Sequence, residues 1–324
     1  MTLPASRSGA AGALAVCAAL VLAACGTGSG TGSGAQDDQG KHPVKTFKGT
    51  VPVPNHPKRV VVLDTAELDS AITLGVKPVG ATRADVGKSF LGYLPKDKLD
   101  GIRDVGTIGS PNLEKIASLK PDLILTNAAR DAKNYEQLKA IAPTVMTEST
   151  GYPWKQNFRT HADALGRKAE ADRAVASYEK HAHEVTKALG GPTRAKAIRT
   201  NVVRFTEGAD TRVYGDRSYI GTVLEDAGLG RPPVTKKADE GDGLYLGVSP
   251  EKLDEADADA LFYSSYGDPA ESGQTKAVRS GLWKNLGAVR NGKAFPVNDE
   301  LWIQGIGYTA ADRILEDLKA KLAK

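Results

Sequence analysis

The stretch Ala169–Leu189, AEADRAVASYEKHAHEVTKAL, decides how the rest of the 324-residue chain divides. Ala171, Ala174, Val175, Tyr178, Ala182, Val185 and Leu189 recur with helical spacing and lay one apolar stripe along an α-helix. Glu, Lys, Arg and His fill the opposite face, and the run holds neither Gly nor Pro. At about 1.5 Å per residue the helix is roughly 30 Å long, the width of a small domain. Gly190, Gly191 and Pro192 stop it, and Gly166 closes the shorter helical pattern ahead of it. An ordinary crossover helix would carry the same stripe, so the flanking sequence has to choose between a crossover and a bridge.

Upstream, the pattern reads strand at 59–64, helix at 67–74, strand at 78–82, helix at 113–119 and strand at 122–127. Helix at 135–141, strand at 144–146 and helix at 156–165 follow. Downstream come strands at 195–205 and 212–214, a helix at 219–227, a strand at 260–264 and a closing helix at 308–322. Apolar strands alternating with helices imply parallel sheets covered on both faces. Two phrases echo each other: SPNLEKIASLKPDLILTN from Ser110 and SPEKLDEADADALFYSS from Ser249. Each reads as a Ser cap, a helix opened by Pro, and an acidic residue leading into an apolar strand. The expected fold is therefore α/β, with two Rossmann-like lobes of mostly parallel sheet joined by one long α-helix. Its boundaries are an N-terminal lobe at 44–165, the bridge at 166–190 and a C-terminal lobe at 191–324.

Arg7 followed by the apolar run 10–24 has the form of a secretory signal, too short for a typical membrane span. The run ends in Leu22-Ala23-Ala24-Cys25, which resembles a bacterial lipobox; that implies removal of residues 1–24 and lipid attachment at Cys25. GTGSGTGSGAQDDQG then reads as a flexible tether, expected to span 25–43. The protein is thereby expected on the outer face of the cytoplasmic membrane, held by its N-terminal lipid. Once Cys17 leaves with the signal, neither a disulfide nor a cysteine metal site can form. A formal net charge of +4, with no dense Lys/Arg cluster, gives no reason to expect a nucleic-acid partner.

Catalytic and metal signals are weak. There is no G-x-S-x-G elbow and no H-E-x-x-H, and the chain has only five His. Gly87-Lys88-Ser89 looks like the tail of a phosphate loop, but Thr82 stands where that loop needs Gly. His181 and His183, two apart on a helix, point to opposite sides, and His42 and His56 fall in the leader and first loop. No catalytic residue and no metal ligand is assigned. Arginines and aromatics at strand ends and in loops are the stronger candidates for ligand binding. Arg83 follows one strand. Arg204 lies inside the apolar strand NVVRF, where its guanidinium needs either a carboxylate or a ligand oxygen. Trp154, Tyr214, Tyr219, Tyr266 and Trp302 each stand beside Gly, Pro, Asp or Ser and together suit the walls around a bulky, partly apolar ligand.

The lipobox, KRVVVLDTAELDSAITLGVKPVG from Lys58, VGTIGSPNLEKIASLKPDLIL from Val105, the central helix and RSYIGTVLEDAGLGRP from Arg217 together resemble the iron-siderophore-binding lipoproteins of bacterial ABC importers. The resemblance covers nearly everything from Lys58 onward. It implies two lobes on one stiff helix, a ligand in the cleft between them, limited closure, and arginines aimed at metal-bound oxygens. It also implies a monomer that needs no cofactor, since its ligand is a preformed ferric siderophore. Delivery to an ABC permease follows, with Glu114 and Glu225 docking one lobe each. The wider family includes cobalamin, haem and zinc or manganese binders. A ferric hydroxamate such as a ferrioxamine fits this chain's residues, with iron already wrapped in oxygens, greasy linkers and little negative charge. A catecholate complex would ask for a denser basic pocket. The alternatives are a cobalamin or haem carrier of the same fold and, in another class, an extracytoplasmic siderophore-processing enzyme.

Overall fold

A computed structural model of the protein describes residues 40–84, 86, 89–241 and 243–323. The signal, Cys25, the tether up to residue 39 and the pair Gly87-Lys88 lie outside the described residues. No described helix is long and apolar enough to cross a membrane.

The expected tether ends earlier than residue 43. Lys41–Thr46 (β1) pairs antiparallel with Gly49–Pro54 (β2), and the hairpin is held to the N-terminal lobe by His42 Nε2, 2.9 Å from the Asp163 carbonyl. Behind it comes a six-stranded sheet built from Val60–Val62 (β3), Gly80–Arg83 (β4), Arg103–Thr107 (β5), Ser110–Pro111 (β6), Leu123–Asn127 (β7) and Thr144–Thr147 (β8). Its order is β6-β5-β4-β3-β7-β8, parallel except at β6. The central strands β3 and β7 are buried throughout, as strands covered on both faces must be. Ser110 and Pro111 are strand here rather than the start of a helix. The cap of the helix Leu113–Ser118 is Asn112, whose side chain accepts from the Lys115 N–H at 2.9 Å.

The second sheet holds Thr200–Thr206 (β9), Thr211–Tyr214 (β10), Tyr245–Val248 (β11), Ala260–Tyr266 (β12) and Ala294–Pro296 (β13), in the order β11-β10-β9-β12-β13. It is less parallel than expected. β9 pairs with β12, and β12 with β13, in parallel, but β10 runs antiparallel to both β9 and β11. The reason is the short link at 207–210, which can turn a hairpin but cannot make a crossover. The expected strand at 195–205 also begins late, because Pro192–Ala197 is a helix with Pro at its start.

The bridging helix spans Lys168–Ala188. Ala171, Val175, Tyr178, Ala182 and Val185 of its stripe are buried. They pack on Trp154–Ala164 from the first half and on Tyr219–Asp226 and the closing helix Tyr308–Leu322 from the second. Gly190 and Gly191, with φ of 96° and 88°, let the chain turn out of it. All strands up to β8 precede this helix and all from β9 follow it, so the chain passes between the sheets once.

The lobes are locked where the closing helix begins. Asp69, fully buried, accepts from Tyr93 Oη at 2.9 Å, Thr73 Oγ1 at 3.1 Å and the N–H groups of Thr309 and Ala310 at 3.2 and 3.1 Å. A carboxyl group of the first lobe thus caps a helix of the second, and burial raises its pKa although the four hydrogen bonds it accepts pull the other way. Beside it, Tyr219 Oη donates to the Gly307 carbonyl at 2.9 Å. Trp154 Nε1 donates to Thr222 Oγ1 at 2.8 Å, and the rings of Trp154, Tyr178, Tyr219 and Tyr308 meet at centroid distances of 4.7–5.9 Å. Lys155 reaches across to Asp226 at 2.6 Å.

Candidate ligand-binding cleft

The carboxyl ends of the parallel strands from both sheets face one cavity of about 340 Å³, where open α/β sheets bind their ligands. Ala84, Ile108, Ile303 and Ile306 supply apolar lining; Arg130 enters from the N-terminal half, and Arg204, Arg212 and Tyr266 from the C-terminal half. Larger cavities lie beside the bridging helix, about 570 Å³, and on the C-terminal half near Leu253 and Leu282, about 740 Å³. Of these three, only the cavity at the strand ends gathers guanidinium groups from both halves.

Each cation is held differently. Arg130 Nε donates to Asp64 Oδ2 at 3.0 Å, and the Asp64 charge keeps the guanidinium pKa above its ordinary value. Asp64 is itself almost fully buried at the end of β3, caps the helix Thr65–Thr73, and also receives Asn127 Nδ2 at 3.1 Å. Arg204 makes a two-pronged bond to Asp299, Nε to Oδ1 at 2.8 Å and Nη2 to Oδ2 at 2.6 Å. Burial pulls its pKa down, but the Asp299 bonds outweigh it and leave it raised. Its guanidinium carbon also lies 4.3 Å from the centre of the Tyr266 ring. Arg212 stacks 4.4 Å over Tyr245 and has no carboxylate partner among the described residues. Three positive charges against Asp64 and Asp299 leave the cleft with a small positive excess.

Beneath the N-terminal wall sits a buried acid–imidazole pair. Asn127 Nδ2 donates also to Glu67 Oε1 at 3.2 Å; His161 Nδ1 lies 2.9 Å from Ser70 Oγ, and its Nε2 is 3.8 Å from Glu67 Oε1. Burial, reinforced by the nearby Asp64 charge, pushes the Glu67 carboxyl up to about 8, and burial pushes His161 down to about 3. Both groups are neutral at pH 7.

The candidates from sequence separate into three groups. Arg204 and Tyr266 line the cleft. Tyr214 lies just behind it, 8% exposed, with its hydroxyl toward the Arg204 and Arg212 side chains. The expected ligand contacts at Trp154, Tyr219 and Trp302 are corrected. Trp154 and Tyr219 form the aromatic lock between the lobes. Trp302 is fully buried, stacked 4.5 Å from Phe262, with Nε1 donating to Asp317 at 2.9 Å. Arg83 is corrected as well, since it turns along the sheet to Asp104 Oδ2 at 3.0 Å and is not among the lining residues. Asp64, Arg130, Arg212, Asp299 and Gln304 were not singled out from sequence. Asp64, at the end of a parallel strand, and Arg130, just past one, could have been found by that rule. Glu114 and Glu225 are exposed, on the helices Leu113–Ser118 and Tyr219–Asp226. Among the described residues no group of three or more His, Cys, Asp or Glu is placed to hold a metal ion.

The model of the family described as "periplasmic binding protein" matches residues 60–301. The chain is 36% identical to the "probable siderophore-binding lipoprotein YfiY" of Bacillus subtilis, over 95% of each chain. It is 31% identical to the iron(3+)-hydroxamate-binding protein FhuD of the same organism, over 86% of each. Among solved structures it resembles Staphylococcus aureus SirA complexed with staphyloferrin B, with a TM-score of 0.78 and 32% identity over 87% of this chain and 98% of that one.

Proposed function

The chain belongs to the periplasmic binding protein family, and from that premise we propose that it captures a ferric siderophore outside the cell and hands it to an ABC permease. It is a substrate-binding component of transport and not an enzyme. The observation that carries the reading is the cleft itself, with guanidinium groups from both halves converging over an aliphatic lining. Metal-bound oxygens carry partial negative charge and only accept hydrogen bonds, which the planar forks of arginine suit. The iron is cargo; its ligands come from the siderophore, and the protein binds the outside of the complex.

Within that class we favour a hydroxamate. Two of the three cleft arginines are already balanced by Asp64 and Asp299, so the site offers little net charge to a strongly anionic complex, while Ile108, Ile303 and Ile306 suit methylene linkers. One observation favours a second reading, a carboxylate-rich ferric complex: Arg212 has no carboxylate partner among the described residues and would reward an added anion. Fluorescence titrations with ferric ferrioxamine, ferric citrate, haem and cobalamin separate these. The hydroxamate reading expects ferrioxamine to bind tightest; preference for citrate would replace it with the second.

Two attachments complete the proposal. Cys25 carries the lipid that tethers the protein to the membrane surface, so Cys25→Ala should release it into the soluble fraction; retention on membranes would refute this. Glu114 and Glu225 meet the permease. An exposed acid in the first turn of a helix, as at Glu114, gains from the dipole, but Glu225 lies in the last turn of its helix, where negative charge is disfavoured. Replacing both with Ala should leave ligand binding intact and stop uptake, and normal uptake would remove the docking role.

A further inference from the structure

The C-terminal wall of the cleft contains two polar atoms that the protein leaves unpaired. Gln304 ends the short helical segment Glu300–Gln304, and its Nε2 donates to Asp299 Oδ2 at 2.8 Å. Asp299 also takes both prongs of Arg204 and the Ser264 hydroxyl at 2.8 Å. A carboxylate in that setting only accepts, so the Gln304 amide can face it only with its nitrogen. Its Oε1 is thereby fixed as an acceptor, and it has no hydrogen-bond partner; Thr206 Oγ1 on the same wall has none either. Both atoms are shielded from water here, so a small side-chain rotation has to present them.

Resting on the siderophore reading, we propose that this wall recognises a secondary amide in the ligand's linker, its N–H donating to Gln304 Oε1 and its carbonyl accepting from the Thr206 hydroxyl. Iron-bound oxygens cannot serve Gln304, because they are acceptors facing an acceptor; they belong to the guanidinium groups. A ligand ammonium would donate, but it would sit among Arg130, Arg204 and Arg212. An amide supplies one donor and one acceptor, matching both orphan atoms without adding charge. A ligand whose linker lacks the N–H still serves Thr206 through its carbonyl but leaves Gln304 Oε1 buried and unpaired.

The test is calorimetric titration of the mature protein, extracted from membranes in detergent, with two ferric trihydroxamates, one with secondary amides in its linkers and one with the same amides N-methylated. The parent protein should favour the N–H form by about tenfold. Gln304→Met should bind both forms alike. Thr206→Val, which leaves the Asp299 network untouched, should lose roughly three- to tenfold toward both forms, as both keep the carbonyl. Equal affinity of the parent for the two complexes, or a preference that survives in Gln304→Met, would overturn the amide assignment while leaving the siderophore reading standing. Binding of neither complex would overturn the hydroxamate reading and the assignment with it.

Discussion

A single arginine shows how far residue-level reasoning reaches. Arg204, in an apolar strand, had to have a partner, and carboxylate and ligand oxygen stood as rivals; Asp299 takes its fork while its guanidinium still borders the cleft. Arg204→Ala should therefore weaken ferric-siderophore binding by roughly 1–3 kcal/mol, whereas Arg83→Ala, committed to Asp104, should change it by less than about 0.5 kcal/mol. Equal losses in titrations of the two variants would contradict that placement. The aromatics were harder to place because Gly, Pro and Ser mark helix starts as well as loops. Trp154 follows Pro153 as the first residue of its helix, and Tyr219 follows the capping Ser218, so both rings point into the interior. Glu67 and His161 give a residue-scale prediction of their own. Glu67 is raised from 4.5 to about 8, so the folded state holds its proton more tightly and stability falls as pH rises between those values. His161 is lowered from 6.5 to about 3, so stability falls as pH drops from 6.5 toward 3. The slopes of these two groups oppose each other between about 4.5 and 6.5, and the Asp69 and Asp131 carboxyls, which burial also raises, add a further fall as pH rises above their ordinary range. Denaturant midpoints measured across pH should fall between about pH 4.5 and 8, and Glu67→Gln should flatten that fall. A variant whose fall matches the parent's would show that Glu67 is not the group responsible.

At the scale of elements, the bridging helix was the most legible feature, since seven apolar positions over twenty-one residues leave no other period. Its neighbours were less so. The short strands β5 and β6 and the β1–β2 hairpin carry few apolar residues, β11 and β13 are only four and three residues long, and β10 reverses direction because of a link only four residues long. The lock between lobes was invisible for a different reason. Asp69 and Gly307 are 238 positions apart, and nothing local says that one carboxylate caps the helix following the other. Gly307 has φ of 155°, a conformation almost confined to Gly, and a Cβ there would collide with the Asp69 carboxylate. Gly307→Ala should cost about 1–3 kcal/mol or more of stability in urea unfolding. A midpoint within error of the parent's would mean that the junction yields easily and does not hold the lobes.

At the scale of the whole molecule, one stiff helix, a buried carboxylate cap and an aromatic cluster all connect the two sheets, so the lobes should move little as ligand enters. X-ray scattering with and without ferric ferrioxamine should show a radius of gyration changing by less than about 1 Å, and a larger compaction would mean that a hinge exists. The two-lobed α/β plan was readable because alternation of strands and helices on either side of the bridge is a property of the entire chain. The cleft was readable only in part, because it is assembled from strand ends brought together by folding. The central claim is that this cleft, through its convergent arginines, holds the ferric complex. Calorimetric titration of ferric ferrioxamine into the parent and into Arg130→Gln/Arg212→Gln, which keeps the Arg204–Asp299 pair and should keep the fold, tests it most directly. We expect one site in the parent and at least a hundredfold loss in the variant, about 2.7 kcal/mol or more; a folded variant that binds as tightly as the parent would place the ligand elsewhere.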